Sequence, residues 1–131
     1  MDMANNGHIT GFNDDAQWYI YDGQQFTFLP GNNYGVPQAI NESDVVVGGY
    51  WSYFGFVYRD GTMFNLDSLI APSSGWHITE AFDVNNNGQI VGAAMINGQQ
   101  HAVLLNPIPE PTTMAILGLS AFAILRKRRS L

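Results

Sequence analysis

Through the first 107 residues, short apolar stretches alternate with polar turns, and one phrase recurs three times. It reads Met3-Ala4-Asn5-Asn6-Gly7-His8-Ile9-Thr10-Gly11, then Ile40-Asn41-Glu42-Ser43-Asp44-Val45-Val46-Val47-Gly48, then Val84-Asn85-Asn86-Asn87-Gly88-Gln89-Ile90-Val91-Gly92. The closing glycines lie 37 and 44 residues apart. Each copy has an apolar residue, a turn rich in Asn, Gly or Asp, a β-branched pair and a glycine. Asn and Gly tolerate positive φ, whereas Ile, Val and Thr suit a pleated surface, so the phrase predicts a tight turn feeding a strand. A second phrase follows each: Trp18-Tyr19-Ile20-Tyr21-Asp22-Gly23, Phe56-Val57-Tyr58-Arg59-Asp60-Gly61 and Ala102-Val103-Leu104-Leu105-Asn106. The first two resume after Asp-Gly with Phe26-Thr27-Phe28-Leu29 and Met63-Phe64-Asn65-Leu66, a hairpin signature. Each unit is therefore expected to supply three or four antiparallel strands. The fold class predicted is all-β, an antiparallel repeat array, partly like a β-propeller.

The pattern changes after residue 107. Pro109-Glu110-Pro111 leads through Thr112-Thr113 into an uncharged run from Met114 to Leu125, which stops at Arg126-Lys127-Arg128-Arg129. The two prolines hold the tripeptide extended, and Thr112 or Thr113 can cap a helix. The run is apolar all round, so a short C-terminal transmembrane helix is predicted over 112–125, with a core helix as its alternative. Its 12 residues from Met114 reach roughly 18 Å, against a hydrocarbon core of about 30 Å. Bilayer thinning and snorkelling basic stems must assist such an anchor. Arg126, Lys127, Arg128 and Arg129 serve as a stop and orientation signal, held in the cytoplasm by the positive-inside rule.

This tripartite tail, 108–131, resembles the PEP-CTERM protein-sorting signal of Gram-negative bacteria. The resemblance implies Pro109, Glu110 and Pro111 as recognition residues and exosortase, a membrane protease, as partner. It further implies export, a transient inner-membrane anchor, and final association with exopolysaccharide or the cell surface. Residues 1–107 resemble the HAF repeats of extracellular bacterial proteins, His101-Ala102-Val103-Leu104-Leu105 carrying the best match. About three repeats are expected, the first of them truncated. Since Met1 to Gly7 lacks the basic and apolar regions of a signal peptide, the chain is expected to be part of a longer exported protein.

Charge separates the same two regions. The 131 residues carry a net charge of −6, but four of the five cations sit in the tail. Residues 1–108 hold Arg59 alone against ten acids, a net of −9. Such a body offers no basic stripe for phosphates, which excludes nucleic acid as a partner. The absence of cysteine excludes disulfides, thiolate metal sites and a cysteine nucleophile.

No catalytic set, metal site or cofactor motif emerges. The loop from Asp83 to Ile90 imitates the start of a calcium loop, yet Val91 and Ala94 occupy the later ligand positions, so its Asn and Gly residues are expected to build the turn. His8, His77 and His101 are scattered, and His101 is expected to start a strand and bond a neighbouring turn. The run from Tyr50 to Tyr58, read as one strand, places Tyr50, Phe54, Phe56 and Tyr58 on one face and Trp51, Tyr53 and Val57 on the other. Trp51 and Tyr53 are thereby candidates for stacking on a ligand such as a sugar. The function expected is that of a non-enzymatic surface or matrix protein. Alternatives are a carbohydrate- or surface-ligand-binding module, ice-binding cargo included, and a fragment of a secreted hydrolase.

Overall fold

Twelve strands form three antiparallel sheets of four in the computed structural model, which describes residues 1–30, 35–50, 53–108 and 122–126. Sheet 1 runs β1 (Asp2–Met3), β2 (Ile9–Phe12), β3 (Trp18–Tyr21) and β4 (Phe26–Phe28) in spatial order. Sheet 2 repeats this with β5 (Val36–Ile40), β6 (Val46–Tyr50), β7 (Phe54–Arg59) and β8 (Thr62–Asn65). Two 3₁₀ turns, Leu66–Leu69 and Pro72–Ser74, lead to sheet 3: β9 (His77–Val84), β10 (Ile90–Ile96), β11 (Gln99–Pro107) and β12 (Phe122–Arg126). The all-β expectation holds, with four strands in every unit.

The sequence phrases coincide in register as well as in order. Ile9, Val46 and Ile90 pair with Tyr21, Tyr58 and Leu105; Gly11, Gly48 and Gly92 pair with Tyr19, Phe56 and Val103. The repeated glycine has a steric cause. A Cβ on Gly48 would lie 2.1 Å from the Val36 carbonyl oxygen, and one on Gly92 would lie 2.2 Å from the Glu80 carbonyl oxygen. Both carbonyls belong to first strands, β5 and β9, whose bulges shift their registers near these glycines.

Strand alternation gives every sheet two faces, and the faces stack. Ile40, Val46, Phe56 and Tyr58 of sheet 2 pack against Trp18, Ile20 and Leu29 of sheet 1. The opposite face of sheet 2, with Ala39, Val47 and Val57, meets Ile78, Ala81, Ile90 and Leu105 of sheet 3. Each large apolar side chain so buried contributes about 1.5–3 kcal/mol. Trp18 anchors the first interface, its ring stacked 4.7 Å from Phe56 and its Nε1 donating to the Gly35 carbonyl over 3.1 Å.

Two expectations change. The stretch from Tyr50 to Tyr58 is a hairpin rather than one strand: β6 ends at Tyr50, Tyr53 N donates to Tyr50 O at 2.7 Å, and β7 begins at Phe54. Tyr50, Phe54, Phe56 and Tyr58 still share a face, because Tyr50 pairs directly with Phe54 across the turn. Tyr53 leaves the ladder and does not share the Val57 face. The second change concerns the tail. Phe122–Leu125, the end of the expected transmembrane helix, is a strand paired with β11, Leu105 opposite Ile124 and Pro107 opposite Phe122. A short apolar run fits helix or strand equally well by periodicity. Here the edge of β11 satisfies its backbone groups while Phe122 and Ile124 join the core beside Leu105. Among the described residues no helix is long and apolar enough to cross a membrane.

Candidate functional site: turn ladder, aromatic face and tail

The Asn-rich turns are one structure made three times. In the second, Asn41 Oδ1 accepts from Ser43 N at 2.9 Å and Val45 N at 3.0 Å; in the third, Asn85 Oδ1 accepts from Asn87 N at 3.1 Å and Gln89 N at 2.9 Å. The first has Ala4 at that place, and Asn6 Oδ1 receives His8 N instead. All three close with the same two backbone bonds and put Gly7, Asp44 or Gly88 at positive φ. A fourth copy, outside the three repeated phrases, joins β2 to β3: Asn13 Oδ1 accepts from Asp15 N and Gln17 N, with Ala16 at φ 58°.

The turns also bond to one another. Asn6 Nδ2 donates to the Glu42 carbonyl, Asn41 Nδ2 to the Asn85 carbonyl, and Glu42 N to Asn86 Oδ1, all within 3.0 Å. Asp2 Oδ2 accepts from Ile40 N, and His8 Nδ1 lies 2.6 Å from Asp44 Oδ1. The loop that imitates a calcium site thus has its Asn85 and Asn86 side-chain oxygens engaged by backbone N–H groups. Among the described residues, no group of three or more His, Asp or Glu is arranged to hold a metal.

The other histidines stand in different surroundings. His77 Nδ1 meets Asp67 Oδ2 while Asp67 Oδ1 accepts from Ile78 N at 2.7 Å, which ties the first 3₁₀ turn to β9. His101 lies inside β11, edge-on to Trp76, and its buried Nε2 has no partner among the described residues. One carboxyl and one phenol are displaced from their ordinary pKa. The Gln25 and then the Gln24 backbone N–H hold the Asp22 carboxyl below its ordinary 3.8. Burial against Trp18 and Phe54 raises the Tyr50 phenol above its ordinary 10.0.

Of the two stacking candidates, Tyr53 is 72% exposed at the tip of the β6–β7 turn, and Trp51 lies outside the described residues. Another exposed aromatic surface lies elsewhere among the described residues. On the outer face of sheet 1, Tyr21 stacks on Phe26 with centroids 4.5 Å apart, Tyr19 meets Phe26 edge-on at 5.1 Å, and Phe28 continues the row. Phe26 and Phe28 are 55% and 54% exposed. The alternation of Tyr19 with Tyr21 and of Phe26 with Phe28 was readable, but not which side of the sheet is exposed.

In the tail, Phe122 is buried in the core below Arg59, whose guanidinium lies 5.4 Å from the Phe64 ring centre and 5.9 Å from that of Phe122. The only body cation therefore clasps the tail strand against sheet 2. Pro109, Glu110 and Pro111, and Lys127, Arg128 and Arg129, lie outside the described residues; Arg126 closes β12. Residues 107–129 match the PEP-CTERM protein-sorting motif. That motif marks an exported protein targeted to exosortase and sorted by way of the membrane. No curated protein and no solved structure matches the chain.

Proposed function

We propose that this chain is a non-enzymatic β-repeat protein of the cell surface or extracellular matrix, delivered by its PEP-CTERM tail and matured by exosortase. The carrying observation is the sorting motif over residues 107–129 on a body of three stacked four-stranded sheets. A four-stranded antiparallel meander is the unit of a propeller blade, and the in-register turns support reading the body as HAF-type repeats in a propeller-like array. Before cleavage, Phe122–Leu125 leave the sheet and residues 112–125 enter the inner membrane as a helix, with Arg126 to Arg129 held on the cytoplasmic side. The acidic body then lies outside, where an exopolysaccharide matrix is its surrounding. Pro109, Glu110 and Pro111 present an extended backbone to the protease.

Expression in a Gram-negative host with exosortase, and in the same host without it, tests this reading. The intact host should release a shortened protein to the surface, and the deletion host should retain the full-length form in membranes. Glu110→Gln and Pro111→Ala should reproduce the deletion. An unshortened protein at the surface of both hosts sinks the proposal.

The exposure of Tyr53 favours a second reading, binding of a matrix carbohydrate through Trp51 and Tyr53. Trp51→Ala and Tyr53→Ala should then lower retention on matrix polysaccharide several-fold, and equal retention removes both residues from that role.

A further inference from the structure

Among the described residues, the stacking of the three sheets leaves two sheet faces with no other sheet over them. The face of sheet 2 that packs on sheet 1 carries Ile40, Val46, Phe56 and Tyr58. In sheet 3 the residues at the same register positions, Val84, Ile90, Val103 and Leu105, are buried as well, against sheet 2. In sheet 1 those positions are Met3, Ile9, Tyr19 and Tyr21, extended by Phe26 and Phe28, and among the described residues no sheet lies over this face. Met3 is 64% exposed. The complementary face behaves in reverse. It is covered in sheet 1 at Thr10 and Ile20 and in sheet 2 at Val47 and Val57, but its equivalents in sheet 3 are Val91 and Leu104, with Phe82 and Asp83 beside them on β9. Phe82 and Val91 are 48% and 44% exposed.

We propose that copies of this chain associate head to tail, the outer face of sheet 3 in one copy seating on the outer aromatic face of sheet 1 in the next. Apolar area alone would not choose this occupant; the polar register does. Asp2 accepts from Ile40 N between sheets 1 and 2, and the equivalent pair between copies is Asp83 with Met3 N. Asn6 Nδ2 donates to the Glu42 carbonyl, and Asn87 and Asn5 hold those two positions. Glu42 N donates to Asn86 Oδ1, and here Asn86 N faces Asn5 Oδ1. Asn41 Nδ2 donates to the Asn85 carbonyl, and Asn85 stands opposite Ala4. These four pairs find their partners at the other end of a second copy, whereas the His8–Asp44 pair is replaced by Gln89 and Gly7. The contact is heterologous, so repeated association closes a ring or extends a filament. The proposal does not depend on the sorting reading, since it rests on residues 2–105.

The chain has no cysteine, which makes the register directly testable. Full-length Asn5→Cys and Asn87→Cys proteins, both changed at exposed turn positions, are purified separately and oxidised alone or as an equimolar mixture. The mixture should give a disulfide-linked dimer at least tenfold more abundant than either protein alone. Adding Phe26→Asp to the Asn5→Cys protein, a change at an exposed site, should abolish it while the circular dichroism spectrum stays unchanged. Sedimentation of the unmodified chain should show mass rising with concentration. Homodimers from either single variant would place like faces together and overturn the proposal. So would a monomer at every concentration, or a mixed dimer insensitive to Phe26→Asp.

Discussion

Single residues decide whether the sheets close on one another. Gly48 and Gly92 recur because their first strands bring a carbonyl oxygen to where a Cβ would stand; at Gly11 the nearest atom is the Tyr19 hydroxyl at 3.0 Å, the free end of a side chain. Gly48→Ala and Gly92→Ala should therefore each cost about 1–3 kcal/mol in denaturant unfolding, and Gly11→Ala distinctly less. Equal losses at all three would show that backbone approach is not the reason for the repeat. Tyr50 gives a second residue-scale outcome. Its phenol ionises at higher pH in the folded protein than in the unfolded chain, because burial disfavours the charged form. The associated stability is complete below 10.0 and is lost as the pH rises through the raised folded value. Thermal melts from pH 8 to 11 should show an alkaline decline that Tyr50→Phe reduces; an unchanged decline would assign it to other groups. At this scale much was readable. The Asn turns followed from composition and spacing, since an Asn side chain that bonds its own backbone is local chemistry. Their cross-bonds to the next turn were not, because Asn41 and Asn85 are 44 residues apart.

At the scale of elements, the tail strand carries the most consequence. Residues 122–125 are apolar enough for a membrane and also fit a strand, and the choice follows from surroundings. In water an isolated helix of 12 residues is marginal, while the β11 edge offers backbone partners and a core site for Phe122. In a bilayer no such edge is available, and a helix satisfies its own backbone. Phe122→Ala should release β12 alone. Hydrogen exchange should then speed at the amides of residues 122–126 by tenfold or more, while β10 amides paired on both sides stay protected. Coupled loss of protection across β9, β10 and β11 would mean that the tail is integral to sheet 3. The aromatic run from Tyr50 to Tyr58 teaches a related lesson. Its alternation assigned the faces of Tyr50, Phe54, Phe56 and Tyr58 correctly although the chain reverses inside it, since a pair facing across a hairpin keeps the same side as residues two apart.

For the whole molecule, three repeats, an acidic body and a basic terminus describe a chain whose two ends do different work. The sorting motif at residues 107–129 is local in sequence, so a membrane protease can read it without any fold around it. For the same reason it was legible from the residues alone, as were the all-β class and the turn chemistry, each set by neighbours a few positions apart. The tertiary structure decided what covers what. Trp18 is aromatic like Tyr19 and Tyr21, yet it is buried with Ile20 under sheet 2 while the two tyrosines face outward beside Phe26. It decided that Arg59 sits over Phe122, and that Asp83 repeats the place of Asp2 at an exposed position. Strand periodicity divides a sheet into two faces but contains no information on which neighbour each face meets. That depends on stacking between segments some 40 residues apart, where packing and hydrogen-bond register, rather than local preference, select the partner.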